Sequence, residues 1–273
     1  MNPADHSPLG KPVPWPAGHD PALLFAIARA SGRSGLSLGV DSFPFIGHDQ
    51  WTAYELSWLD ALGKPQVAIA RLQVPADSPS LIESKSLKLY LGGFAMAAMV
   101  SAEAVRALIA GDLSAAAGAA VAVELLPVVG AMPVRELDGQ CIDDQPIAIV
   151  DHAGPAPEHL HVHADHVEET LLSHLFRSNC PVTGQPDWAS VQIGYRGPRI
   201  DRAGLLRYLV SFRRHSGFHE QCVERIFLDL RAHCRPDALS VYARYTRRGG
   251  IDINPWRATP GMPDPAPARC ARQ

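Results

Sequence analysis

Phe43-Pro44-Phe45-Ile46-Gly47-His48-Asp49-Gln50-Trp51 and Cys180-Pro181-Val182-Thr183-Gly184-Gln185-Pro186-Asp187-Trp188 carry Pro, Gly and Trp at the same spacing. Trp51 set against Trp188 gives an offset of 137. At that offset Glu83 meets Glu220, Lys88 meets Arg225, Leu89 meets Ile226, Tyr90 meets Phe227 and Leu91 meets Leu228, with no gap from Phe43 on. A constant spacing over a whole supersecondary unit reads as an internal duplication. The copies differ where chemistry is possible: Phe43 stands opposite Cys180, and Gln50 opposite Asp187.

The coarse elements repeat around these stretches. Thr52–Trp58 and Val67–Val74 are strand-like, the second in the alternating order Val67, Ile69, Arg71. Trp188–Tyr195 also alternates. Ser101 is a cap for a helix with Val105, Leu108 and Ile109 on one face, and Asp201 for one with Leu205, Leu206, Leu209 and Phe212. His219–His233 puts Val223, Ile226, Phe227 and Leu230 on one face. Strands return at Ala120–Leu125 and Leu239–Thr246. This predicts an α+β fold of two tandem halves, with mostly antiparallel sheets and helices on one face.

The remaining sequence frames the halves. Prolines crowd both ends, so residues 1–38 and 257–273 read as extended arms outside the core. Residues 151–165, with Gly154, Pro155, Pro157 and four histidines, read as a linker between a half at 39–150 and a half at 166–256. Of the 273 residues 47% are hydrophobic and 19% charged, enough for a real core. The net charge of −3 argues against nucleic-acid binding through a broad basic face. Five scattered cysteines make no disulfide framework. No secretory signal and no membrane span is read, so the expectation is a reduced, soluble, cytoplasmic protein.

Cys180, in a turn-like setting with Asp187 seven residues on, is a candidate nucleophile with a carboxylate to take and return its proton. The alternative is a small buried hydrophobe. Glu83 and Glu220 sit at helix starts, either as dipole partners or as carboxylates for a guanine-like ring. Lys85, Ser86 and Lys88 form a solvated helix face or a phosphate site. Arg244, Arg247, Arg248, Gly249 and Gly250 are a decorated hairpin or again a phosphate site. The linker histidines lack paired cysteines, and no metal site is expected. His219-Glu220-Gln221-Cys222-Val223 begins like a metalloprotease motif but has Val223 where the second histidine belongs. Cys222 is read as core packing. There is no GxGxxG and no Walker A motif, so a nicotinamide cofactor would bind outside a Rossmann fold.

Glu83-Ser84-Lys85-Ser86-Leu87-Lys88-Leu89-Tyr90, the Cys180–Trp188 stretch, Phe218-His219-Glu220-Gln221-Cys222-Val223-Glu224-Arg225 and Tyr242-Ala243-Arg244-Tyr245-Thr246-Arg247-Arg248-Gly249-Gly250 closely resemble the long-form NADPH-dependent 7-cyano-7-deazaguanine reductases. These are the nitrile reductases of queuosine biosynthesis, a tRNA-modification pathway. The resemblance runs from about Gly39 to Trp256, leaving out the arms and the histidine-rich linker. It implies tandem tunnelling-fold domains, a homodimer, and reduction of a nitrile to a primary amine with two NADPH. By carry-over, Cys180 forms a covalent thioimide and Asp187 donates the proton. Glu83, Ser84, Lys85, His219 and Glu220 hold the deazaguanine; Lys85, Ser86, Arg248 and Gly249 contact NADPH. With Glu83 in one half and Cys180 in the other, a single site has to draw on both, within a chain or across a dimer. Two other readings stay open: a zinc-dependent cyclohydrolase of the same fold, and a non-catalytic purine-binding module.

Overall fold

The computed structural model describes residues 7–36, 43–130, 132–149 and 154–273. The expected boundaries at 38–39 and 150–151, and the start of the resemblance at Gly39, lie outside the described residues. The described parts of Met1–Asp41, His48–Pro133 and Arg247–Ile253 form one compact unit; those of Ser42–Gly47, Val134–Thr246 and Asn254–Gln273 form another.

The first unit contains β1 (Ala26–Ala28), α1 (Arg29–Arg33), β2 (Ile46–Leu59, from His48 on), β3 (Pro65–Pro75), β4 (Ser80–Ile82), α2 (Ser84–Gly92), α3 (Ala102–Ala117) and β5 (Ala122–Leu126). Its main strands run β5-β3-β2, antiparallel, and β1 pairs with β4. In β3 Ala68, Ala70, Leu72 and Val74 are buried while Val67 is exposed, so the period of two is kept. Ser101 Oγ accepts Ala104 N at 3.1 Å and starts α3, whose Val105, Ile109, Leu113 and Ala117 form one buried stripe. These side chains pack with Trp51, Leu72, Leu87 and Tyr90 in a common core.

The second unit contains β6 (Gln140–Cys141), β7 (Val162–Asn179), β8 (Pro186–Ile200), α4 (Arg202–Ser211), α5 (His219–Cys234), β9 (Ala238–Tyr245) and, from Asn254, the rest of β10 (Ile251–Ala258). The order is β10-β9-β8-β7-β6, antiparallel apart from the short β6–β7 pair. Asp201 Oδ2 accepts Gly204 N at 2.7 Å to start α4, as its position predicted. Leu205, Leu206, Leu209 and Phe212 are buried, and so are Val223, Ile226, Phe227 and Leu230 of α5. Each such side chain contributes about 1.5–3 kcal/mol on burial. The expected α+β layout with antiparallel strands is what the chain adopts.

Four local expectations change. The fixed offset lays β2 on β8 and α2 on α5, but it also lays β3 on α4. The intervening residues obey different periods, alternating in one half and helical in the other, so the halves do not repeat element for element at that spacing. The stretch read as linker ends inside β7, which starts at Val162; its histidines hid a strand because polar residues there face outward. Residues 26–33 of the N-terminal arm enter the core. Ile27 is 2% exposed, and Arg29 donates to Asp49 Oδ2 at 2.6 Å and Ser78 Oγ at 3.0 Å. The C-terminal stretch packs too, with Arg257, Ala268, Cys270 and Gln273 buried. Among the described residues no helix is long and apolar enough to cross a membrane.

Arg257 is fully buried, and its Nε and one terminal nitrogen donate to Glu224 Oε1 at 3.1 and 2.8 Å. Removing one member of such a pair strands the other charge in the core. Arg257→Ala is expected to lose about 3–5 kcal/mol of stability in urea unfolding, whereas an exposed pair such as Arg199–Asp165 contributes little.

Candidate active site

Cys180 directly follows β7, and Asp187 is the second residue of β8. The tip between them closes tightly: Cys180 N donates to Gln185 O at 2.8 Å, and Gly184 N donates to Cys180 O at 3.0 Å. Gly184 has φ +68°, which only glycine adopts at no steric cost. The β7–β8 register sets Asp187 across from Ser178. Cys180 is 4% exposed and Asp187 7%.

Asn179 fastens this tip to the loop leading into α5. Its N–H donates to His215 O at 2.9 Å, its carbonyl accepts Gly217 N at 3.1 Å, and its Nδ2 donates to Arg213 O at 3.2 Å. Two residues beyond Gly217, α5 opens with His219 and Glu220, its first turn secured by Gln221 Oε1 accepting Phe218 N at 3.2 Å. His219 Nε2 lies 3.3 Å from Asp187 Oδ2. Its ring stacks flat on Tyr245, centroids 3.7 Å apart and planes 6° from parallel. His219 Nδ1 is buried with no hydrogen-bond partner among the described residues. Glu220 is 3% exposed. The second unit thus brings together four residues named from sequence: Cys180, Asp187, His219 and Glu220.

Cys222 lies below, fully buried. Burial pushes its thiol up to about 12 against the nearby hydroxyls of Ser178 and Tyr245, which pull it down. It stays a neutral thiol at physiological pH, in keeping with a packing role.

In the first unit Glu83 is the N-cap of α2. One carboxylate oxygen accepts Lys85 N at 2.6 Å and the other Ser86 N at 2.9 Å. Burial raises the Glu83 carboxyl above its ordinary value, and the two backbone donors oppose the rise. Ser86 is fully buried; its hydroxyl donates to Glu83 O at 2.7 Å and accepts Phe25 N at 3.0 Å. Ser86 therefore fixes the turn that carries Lys85, and its hydroxyl does not face solvent. Gly249 and Gly250, with φ +59° and +76°, make the turn before β10. A Cβ on Gly249 would meet Lys88 Nζ at 3.0 Å, and one on Gly250 the Glu55 carboxylate at 2.5 Å. Trp15, Lys88, Gly92, Gly249 and Gly250 line a cavity of about 70 Å³. The Lys85 ammonium lies 5.9 Å from the centre of the Trp15 ring. Glu55 lines the same cavity, which is well below the ~300–1,000 Å³ that encloses a whole ligand. Arg244 does not belong to this cationic group. It is 4% exposed and donates to Arg135 O, Ala266 O and Cys270 Sγ in the second unit.

A family model described as "Nitrile reductase, 7-cyano-7-deazaguanine-reductase N-term" matches residues 15–125, and one described as "QueF-like protein" matches 186–263. A Burkholderia ambifaria protein named NADPH-dependent 7-cyano-7-deazaguanine reductase is 56% identical over 277 residues, covering 100% of both chains. The chain belongs to the 7-cyano-7-deazaguanine reductase family. A Xanthomonas campestris member of the same name is 59% identical over 267 residues, with 97% of each chain covered. A Chromohalobacter salexigens member is 54% identical, with 98% of this chain and 97% of its own covered. The likeness to the reductase family therefore reaches past Gly39 and Trp256 into both ends. Sequence reasoning had not singled out Asn179 or Tyr245, since an asparagine in a turn and a tyrosine in a strand carry no signal of what they touch.

A raised pKa in the folded state means that the fold holds that proton more tightly than the unfolded chain does. The stability from Glu83 is complete below the unfolded value near 4.5 and is lost as pH rises through the higher folded value. Urea unfolding at several pH values is expected to show wild type losing stability relative to Glu83→Gln as pH climbs from 4.5 toward neutrality.

Proposed function

We propose that this protein reduces the nitrile of 7-cyano-7-deazaguanine to the primary amine, with Cys180 as the nucleophile. The observation that carries the reading is the cluster of a buried hairpin-tip thiol, Asp187 and His219 in one unit. The names of relatives at 54–59% identity over nearly the whole chain support the substrate and NADPH. NADPH, when bound, supplies hydride, and nitrile to amine takes up two hydrides, hence two NADPH per turnover.

Cys180 Sγ adds to the nitrile carbon. The thiol proton passes to the Asp187 carboxylate, a C–S bond forms, one C–N π bond breaks, and the nitrogen takes that proton back from Asp187, leaving a covalent thioimide. A nitrile accepts hydride poorly; the imine-like carbon accepts it more readily, so one hard step becomes easier ones. After the first reduction the C–S bond breaks and Cys180 leaves as a thiolate, giving a free imine for the second. Asp187 delivers a proton at each reduction and is reprotonated from solvent in between, and the 3.3 Å approach of His219 orients its carboxylate. Glu220 accepts hydrogen bonds from the guanine-like edge, and the unpartnered His219 Nδ1 offers a further polar contact.

In the first unit, Glu83 uses three of about four acceptor positions on its own helix, for Lys85 N, Ser86 N and the Ser84 hydroxyl. It retains capacity for substrate together with Ser84 and Lys85. Lys85, Arg248 and Gly249 would hold NADPH through its phosphates, with Ser86 fixing the helix turn behind Lys85. The active protein is a homodimer in the cytoplasm, and its product enters queuosine biosynthesis.

Intact-mass analysis after incubation with 7-cyano-7-deazaguanine and no NADPH is expected to show one substrate added to wild type and none to Cys180→Ala. Added NADPH should discharge the adduct. A folded wild type that binds the heterocycle without gaining its mass would refute the covalent reading. Asp187→Asn is expected to slow NADPH oxidation at least about 100-fold, with binding of the heterocycle little changed.

A further inference from the structure

Gln273 is 5% exposed, and its side-chain amide is fully engaged. Nε2 donates to Asn254 Oδ1 at 2.7 Å and to Tyr245 O at 3.1 Å, while Oε1 accepts Cys270 N at 2.9 Å. Asn254 Oδ1 also accepts Tyr245 N at 3.2 Å. Both backbone polar groups of Tyr245 are thus tied to one knot of two side-chain amides.

The knot stands where a strand ladder stops. The β10–β9 register pairs Trp256, Arg257 and Ala258 with Tyr242, Val241 and Ser240. Pro255, next in line, has no N–H with which to continue it. Tyr245 lies beyond that break, at the end of β9. There Asn254 and Gln273 supply the bonds that a neighbouring backbone would otherwise make. The Tyr245 ring is fully buried and stacks on His219, which approaches Asp187.

We propose that Gln273 is a positioning residue: through Asn254 and Tyr245 it holds the flat wall on which His219 rests beside Asp187. The inference rests on the reading of Cys180, Asp187 and His219 as the reacting cluster. Gln273 touches none of the three; its effect passes through the Tyr245 ring. Small displacements matter at such a site, because a shift of about 1 Å costs on the order of 100-fold in rate.

The test compares wild type with Gln273→Glu, Gln273→Ala and Gln273→Asn. The glutamate keeps the size and loses the amide donor; the asparagine keeps the amide but is one methylene short. In proton NMR the His219 ring protons, assigned by their loss in His219→Gln, carry the ring-current shift of the stacked Tyr245. They are expected to move toward exposed-histidine positions in the glutamate and alanine variants, and part of the way in the asparagine variant. The rate of nitrile adduct formation should fall about tenfold in the first two. Affinity for the amine product, measured by calorimetry, should fall less than the adduct rate, because only the His219 contact is disturbed and those of Glu220 stay in place. Variants that melt earlier yet keep the His219 resonances and the adduct rate would overturn the proposal. A wild type without adduct would overturn the functional reading instead, and the His219 resonances would still decide whether Gln273 holds the stack.

Discussion

The bonds of Asn179 to the loop between α4 and α5 are the constraint on which the second unit's site depends. Its N–H, carbonyl and Nδ2 all engage residues 213–217, while Arg177 donates to its Oδ1 at 3.0 Å. The residue before Cys180 is thereby locked to the loop that leads into His219 and Glu220. A hairpin tip and a helix start, distant in sequence, become one rigid piece. The proposed nucleophile and proton carrier need this kind of preorganisation, because loose geometry forfeits most of the gain from proximity.

Charges in this chain divide between structure and chemistry according to burial and partners. Arg29, Arg244 and Arg257 are buried and committed, to Asp49, to backbone carbonyls and to Glu224 respectively. Lys88 and Arg248 keep part of their surface, and the Lys88 ammonium reaches the Gly249–Gly250 turn. The two thiols of the site divide similarly. Cys222, fully buried, is held neutral by desolvation. Cys180 sits just past the end of β7, in the turn that leads to Asp187 of β8. Glu83 belongs to both groups, since the bonds that cap α2 also fix the orientation of Ser84 and Lys85.

Family members align with this chain nearly end to end, and the fold gives both ends physical work. Residues 26–33 bring a strand and two buried arginines into the first unit. The last residues bring Cys270 and Gln273 against β9 and β10 in the second. Neither stretch shows the apolar periodicity by which core elements are read. Arginine and glutamine are rarely buried, and their burial becomes favourable only when specific partners meet them.

From the sequence alone, the α+β class, most strands and helices, the caps at Ser101 and Asp201, and Cys180, Asp187, His219 and Glu220 as candidate site residues were legible. These features are local: apolar period, cap chemistry and motif spacing lie within a few residues of one another. Tertiary structure alone decided that Val162 already starts a strand, that residues 26–33 and parts of 257–273 belong to the core, and that the fixed offset lays a strand on a helix. It also decided that Arg244 is structural, that Asn179 ties the hairpin to α5, and that Tyr245 is the surface beneath His219. Each of these depends on which partner meets a polar side chain across tens to hundreds of residues. A hydrogen-bond donor in a sequence has no partner until the chain folds.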